Sequence, residues 1–236
     1  MIVSIMQPAY LPWLGYFHRI GTSDLYIVLD HVQIDKNSKT KFTNRNKVRT
    51  REGWCWLTVP LKTKGRFGKL YINQLEIANE TPWADKHWST IQSNYAKATY
   101  FAQHASFLEQ VYSQQWEYLT DLTRVITRYL LDAFGIKTPI LFSSEMKVEG
   151  QKDELILNLC HAVDAEVYIS GPFGRDYLHE HLFCEAGIRI VYHDYHHPTY
   201  PQVYPNFEAY MSALDLLLNC GPSSVEILEK DQELIS

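Results

Sequence analysis

The chain has 236 residues, 46% of them hydrophobic and 21% charged, with a formal net charge of −5. Those proportions fit a folded chain of domain size with an ordinary core and exclude a disordered polymer, and the weakly acidic balance excludes a general nucleic-acid binder. There is no apolar run of membrane-crossing length and no basic-then-apolar leader at the amino terminus, so the expected location is the cytoplasm, with no membrane partner.

The first residues set the frame. Ile2 to Met6 is a short, largely apolar run, long enough for one buried strand and too short for a helix. Gln7 and Pro8 end it, because proline cannot donate to a sheet ladder. Pro12 can open a helix in its first turn and Gly21 can close it, so residues 12–20 read as helix. Residues 25–29 form a second apolar run, stopping at Asp30. Together these make a βαβ unit, the smallest parcel of a parallel sheet. Such a unit puts Gln7 to Tyr10 and Asp30 to Gln33 at the carboxyl edge of the sheet, where open α/β folds bind ligands.

Residues 35–43 are polar and lysine-rich, and the loop reading extends through Asn44, Arg45, Asn46 and Lys47. A solvated surface loop accounts for the lysines. The two amides and the guanidinium of Asn44 to Asn46 also supply donors and acceptors suited to carboxylate, phosphate or sugar hydroxyls. Residues 54–61 and 70–77 read as strands peripheral to the main sheet, joined by a basic, glycine-punctuated segment at 62–69. From 83 to 134 apolar residues recur at helical spacing and Gly135 caps the end, which predicts a helical insert whose aromatic stripe is core.

After the insert the α/β alternation returns. Strands are expected at 139–142, 166–169 and 188–192, and helices at 152–163, 175–185 and 207–218. The predicted fold is a single α/β domain over residues 1–236. Its core is a Rossmann-like, mostly parallel sheet of at least five strands flanked by helices, with the segment 83–134 inserted between two α/β halves.

Three features of the second half carry candidate chemistry. Ser170, Gly171, Gly174, Arg175, Asp176 and Tyr177 lie between a strand and a helix, where glycines let backbone N–H groups approach an anion and Arg175 adds positive charge. The same glycines also suit an ordinary strand-to-helix turn. His196 and His197 occupy a proline-bracketed loop with Tyr200 and Gln202, and either imidazole suits a general base near neutral pH. A turn with polar tips fits that loop equally well. His179 and His181 are not at the i, i+4 spacing of a zinc helix, so no metal site is expected. The four cysteines, Cys55, Cys160, Cys184 and Cys220, form no CxxC pair and read as reduced thiols, and Cys160 beside His161 reads as core. There is no GxSxG elbow.

The blocks MQPAYLPWLGYF, Asp30-His31-Val32-Gln33, Asn44-Arg45-Asn46, Trp56 to Pro60, Ser170 to Tyr177 and Tyr200 to Asn219 together resemble the WbqC-like proteins, over nearly the whole chain. The resemblance implies a setting in surface-polysaccharide and modified-aminosugar biosynthesis. That setting implies a transferase moving an acyl or aminoacyl group onto an amine of a nucleotide-linked sugar, with a thioester or carrier protein as the donor's source. The resemblance does not identify a cofactor. On this reading His196 or His197 is the base and Asp30 orients the amine. Ligand contacts fall to Gln7, Tyr10, Tyr16, Gln33, Asn44, Arg45, Asn46, the 170–177 segment, Tyr200 and Gln202. The opening unit is similar, more remotely, to the nucleotidyltransferase and pantothenate-synthetase group, whose helix begins with HxGH. Here the equivalent residues are Trp13-Leu14-Gly15-Tyr16, so both histidines are missing. Two alternatives stand beside the transferase: an ATP-dependent adenylate-forming ligase, and a non-catalytic module that binds a sugar nucleotide or a carrier protein.

Overall fold

The computed structural model describes residues 1–34, 42–63, 70–230 and 234–235. Residues 35–41 of the lysine-rich loop and 64–69 of the basic segment lie outside them. The strands are β1 (Ile2–Met6), β2 (Leu25–Val28), β3 (Arg45–Thr50), β4 (Gly53–Thr58), β5 (Ile140–Phe142), β6 (Val167–Ser170), β7 (Arg189–His193) and β8 (Leu234–Ile235). The main sheet has the order β5-β2-β1-β6-β7-β8, parallel throughout except for the β7 and β8 pair. Its parallel part is the expected Rossmann-like core, with the amino-terminal strand at its centre.

Strand periodicity assigns the two faces. Val3, Ile5, Leu25, Ile27 and Tyr168 pack against α5 (Lys152–His161) and α6 (Glu180–Glu185) through Leu155, Leu159 and Phe183. On the opposite face Met6, Tyr26 and Val28 pack against α1 (Leu14–Gly21). That core continues into α2 (Trp83–Tyr95), α3 (Phe101–Ser113), α4 (Leu119–Ala133) and α7 (Ala213–Cys220). A central strand buried on both faces must be apolar nearly throughout, which is why Ile2 to Met6 lacks a polar face apart from Ser4.

Several sequence expectations need correction. Residues 45–47, read as loop, begin β3, which pairs antiparallel with β4 in a separate hairpin. Residues 70–77 are not a strand; they make a 3₁₀ turn at Ile72–Gln74 and touch the loop after β4 through an isolated bridge between Leu61 and Ile77. The reason is local, since β3 alternates buried Asn46, Val48 and side-chain partners along six residues and takes the place next to β4. The helix expected at 175–185 is a 3₁₀ turn, Pro172–Asp176, followed by α6. The helix expected at 207–218 begins at Ala213, where the Ser212 hydroxyl accepts from Leu214 N as its cap. A further helix, α8 (Ser224–Glu229), and strand β8 were not anticipated.

The loop after β1 is held by the hairpin. Leu11 adopts φ +47°, a left-handed conformation that costs a branched residue energy. The buried Asn46 amide donates to Leu11 O at 2.5 Å and accepts from Lys47 N at 2.8 Å, while Ala213 N donates to Pro12 O at 2.8 Å. Hairpin, loop and α7 therefore lock together at the carboxyl edge of the sheet.

Candidate functional site

Strand order reverses between β1 and β6. The chain leaves β1 for α1 on one face and leaves β6 for α6 on the other, which opens a crevice at the carboxyl ends of these two strands. Gln7 is exposed there, and Gly171 begins the loop across from it. Phe173 and Tyr177 are each 48% exposed along that loop. Arg175 turns toward the other side of β7, its guanidinium 3.9 Å from the centre of the Tyr192 ring. Gly174 is explained by packing: a β-carbon there would lie 2.1 Å from the Ser170 hydroxyl. The turn after Gly171 is too short to act as a helix dipole, so the anion role expected of a helix start does not arise from it.

The crevice is floored by side chains that sequence reasoning passed over. Arg19, on the last turn of α1, is 8% exposed. Helical side chains lean toward the helix amino terminus, so this long one extends toward the carboxyl edge of the sheet. A β-carbon placed on Gly171 would sit 3.1 Å from both terminal nitrogens of Arg19. The phenols of Tyr168, Tyr177, Tyr26 and Tyr16 surround this cation, and burial lowers its proton affinity. Tyr16 and Tyr26 are hydrogen-bonded to each other through their hydroxyls.

Beside Arg19, His18 Nδ1 and His193 Nε2 share a hydrogen bond of 2.7 Å, their rings stacked 5.0 Å apart. Burial first, and then the charge of Arg19, pull His18 down to about 4 and His193 to about 3, so both imidazoles are neutral at pH 7. Tyr195 stacks on His193, and Trp13 meets Tyr195 edge-on.

On the same face, between β2, β5 and α4, lies a cleft lined by Pro8, Val28, Ile140 and Phe142, with Tyr16 and Tyr26 at its inner side and Arg124 and Arg128 at its rim. Arg124 stacks on Phe142 at 3.7 Å and pairs with Glu145 at 3.6 Å.

The other predicted residues divide by what they touch. The buried Asp30 carboxylate accepts from Ser143 Oγ at 3.0 Å, Ser144 N at 2.9 Å and Ser144 Oγ at 2.7 Å, tying the end of β2 to the residues after β5. Its oxygens are thus engaged in the fold rather than turned to an amine. Tyr10 is fully buried, its hydroxyl bonded to His87 Nδ1 at 2.8 Å and Tyr112 Oη at 2.6 Å, so it anchors the loop to α2 and α3. Asn44 donates to Val59 O at 2.7 Å, and Arg45 stacks on Trp56 at 4.3 Å. Gln33 is exposed and bridges to Tyr71. Tyr200 and Gln202 both donate to the buried Asp215. Replacing Asn46 by alanine is therefore expected to cost about 1–3 kcal/mol of stability, by freeing a buried carbonyl, and to leave ligand affinity unchanged. Urea unfolding beside a binding titration checks both halves.

His196 is exposed and lies in the same loop as His197. His197 Nδ1 lies 3.0 Å from Pro198 O, which makes Nδ1 the N–H donor and leaves the Nε2 lone pair, buried and without a partner, as the basic atom. Its ring sits among Tyr200, Phe207 and Tyr210, and burial lowers its pKa. Asp176 takes part in an interaction of its own, at the end of the turn. Among the described residues no group of three His, Cys, Asp or Glu side chains is arranged to hold a metal ion, and no helix is long and apolar enough to cross a membrane.

Comparison with known proteins agrees with the sequence blocks. The chain is 36% identical over 228 residues, 96% of its own length and 96% of the other's, to the uncharacterized protein Rv1507c of Mycobacterium tuberculosis. No solved structure is similar at a significant level. The pattern of the WbqC-like protein family matches residues 7–227, so this chain belongs to the WbqC-like protein family.

Proposed function

We propose that the protein is a transferase of surface-polysaccharide or aminosugar biosynthesis that moves an acyl or aminoacyl group onto an amine of a nucleotide-linked sugar. The observation that carries this reading is the crevice where strand order reverses between β1 and β6, the place at which parallel α/β sheets take up nucleotide-bearing ligands. The cleft of Pro8, Val28, Ile140 and Phe142, which Thr120, Thr123 and Thr127 also line, lies beside that crevice on the same edge of the sheet. His197 is the base. Its neutral Nε2 takes the proton of the attacking amine as the new C–N bond forms and the acyl–sulfur bond of a thioester donor breaks, and the thiolate leaves to be protonated.

Adenylate chemistry is less well supported. The positions equivalent to HxGH are occupied by packing: a β-carbon at Gly15 would meet the Trp13 indole at 2.3 Å, and the Tyr16 hydroxyl is bound to Tyr26. Neither offers an imidazole to a phosphate.

The test is to incubate the purified protein with nucleotide-linked amino sugars and a panel of acyl thioesters and aminoacyl donors, and to look for an N-acylated sugar by mass spectrometry. His197→Ala is expected to reduce kcat about 10²–10⁴-fold with little change in KM for the sugar nucleotide. His196→Ala is the comparison. Unchanged turnover in His197→Ala removes the base assignment, and ATP-dependent pyrophosphate release in place of acyl transfer replaces the reaction class.

A further inference from the structure

We infer that Arg19 is a phosphate-binding residue, the centre of a built oxyanion subsite on the floor of the β1/β6 crevice that takes a phosphoryl group of the substrate. The inference rests on the reading of that crevice as the substrate site and names the group recognised there.

The argument begins with charge. A guanidinium retains its proton at any physiological pH, so a buried arginine normally meets a carboxylate or a full set of carbonyls. Arg49, in the same protein, shows the ordinary solution: it is 1% exposed and its N–H groups donate to the carbonyls of Thr50, Gly53, Pro205 and Asn206 and to Gln202. Arg19 is different. It is buried to a similar degree, yet among the described residues no side-chain hydrogen bond or ion pair takes its guanidinium, and its Nε is enclosed without a partner. Phenols surround it, which are neutral and can donate or accept but cannot balance a charge.

Position supplies the second observation. The terminal nitrogens lie against Gly171, at the carboxyl end of β6, so the cation faces the crevice rather than the interior of α1. Any larger residue at 171 would be driven into those nitrogens, and glycine leaves the approach open. His193 Nδ1, one ring away, is also buried and without a partner, and so is the hydroxyl of Ser4 in β1, on the face that α1 covers. Of the five buried, unpartnered side-chain atoms among the described residues, three belong to Ser4, Arg19 and His193.

The chemistry fits phosphate better than a cationic or apolar group. A guanidinium fork matches two phosphoryl oxygens, and neutral hydroxyl and imidazole N–H donors serve an oxyanion without adding titratable charge. A ligand that delivers the missing negative charge relieves the cost of burying Arg19 alone.

This yields a test with a readout that a structural arginine would not give. The protein, Arg19→Met and Arg19→Lys are compared by thermal unfolding and by calorimetric titration with inorganic pyrophosphate and with UDP. Ligand-free Arg19→Met is expected to melt at or above the wild-type temperature, by about 2–4 °C, because an unbalanced buried charge has been replaced by an apolar side chain of similar length. Pyrophosphate and UDP are expected to bind the wild type and to lose at least tenfold in affinity in Arg19→Met, with partial recovery in Arg19→Lys. A large fall in the melting temperature of ligand-free Arg19→Met, or equal binding by both proteins, overturns the inference. So does a response to acetate and glycine that exceeds the response to pyrophosphate, which would make the subsite one for carboxylates. The outcomes separate from the transferase reading: Arg19-dependent pyrophosphate binding without any acyl transfer leaves the subsite standing and removes the reaction. Acyl transfer with pyrophosphate binding unchanged by Arg19→Met does the reverse.

Discussion

Asp215→Ala is expected to lower stability by about 3–5 kcal/mol, the cost of removing one partner from a buried charged network. Asp215 has no exposed surface, and its carboxylate accepts from Tyr95 Oη at 2.7 Å, Tyr200 Oη at 2.9 Å and Gln202 Nε2 at 2.8 Å. Gln202 passes the connection on, since its Oε1 accepts from Arg49 Nε at 3.3 Å. The amide therefore links a buried anion on α7 to a buried cation on β3 without direct contact. Truncating Asp215 leaves two phenols and an amide without their acceptor and leaves Arg49 with carbonyl dipoles alone, so the loss comes from the groups left behind. Asp215→Asn keeps one acceptor oxygen and is expected to fall between, about 1–3 kcal/mol. Chemical denaturation with an unchanged m value measures both. A midpoint for Asp215→Ala within error of wild type would show that Arg49 is balanced by other groups. The pH dependence has a definite sign. Burial raises the Asp215 pKa despite its three donors, so the folded state holds this proton more tightly than the unfolded chain. Its contribution is complete below the unfolded value near 3.9 and declines as pH rises through the folded value. Asp215→Asn should lack that decline.

The sheet was legible because its strands announce themselves. Ile2 to Met6 and Leu25 to Val28 are short apolar runs ended by Gln7-Pro8 and Asp30, and a strand buried on both faces can hardly read otherwise. The hairpin was not, because β3 is RNKVRT, whose side chains alternate between the core and stacking on tryptophans, and a polar strand carries no apolar period. The crevice could be placed by topology, which puts Gln7 just past β1 and Gly171 just past β6. Tyr200, Gln202 and Asn46 could not be told from ligand contacts, since an amide or phenol that serves a buried backbone looks the same in sequence as one that serves a substrate. Arg19 was hidden, because LGYFHRIG reads in sequence as an amphipathic helix with His18 and Arg19 on a polar face. Only the fold shows that every residue before the final glycine is buried, so that the His-Arg pair has no solvent to face. A charge inside a helix buried all round needs a partner.

The imidazoles beneath the crevice make the protein acid-sensitive in a way that its ligand should reverse. His18, His87 and His193 are held at about 4, about 4 and about 3, in each case chiefly by burial. A histidine whose folded pKa lies below the unfolded value of about 6.5 contributes stability that is full above 6.5 and is lost as pH falls toward the folded value, because the unfolded chain takes up the proton first. Between pH 7.5 and 4.5 each group is expected to cost about 1–2 kcal/mol, or about 5 kcal/mol for the three, opposed in part by Asp215 at the acid end. Denaturation midpoints across this range measure the slope. His18→Asn combined with His193→Gln retains polar atoms close to those of the shared hydrogen bond and should remove the pair's share of it, while His87→Gln removes a share away from the crevice, where His87 meets Tyr10. An acid limb unchanged in the paired variant would mean that those rings do not set it. The charged group facing the pair is Arg19, which opposes their protonation, with Tyr195 stacked on His193 and tilted against His18. An anion bound by Arg19 cancels that opposition and raises both imidazole pKa values. Pyrophosphate should then bind more tightly as pH falls from 7 to 5 and should move the acid limb of the stability curve to lower pH, and both shifts should disappear in Arg19→Met.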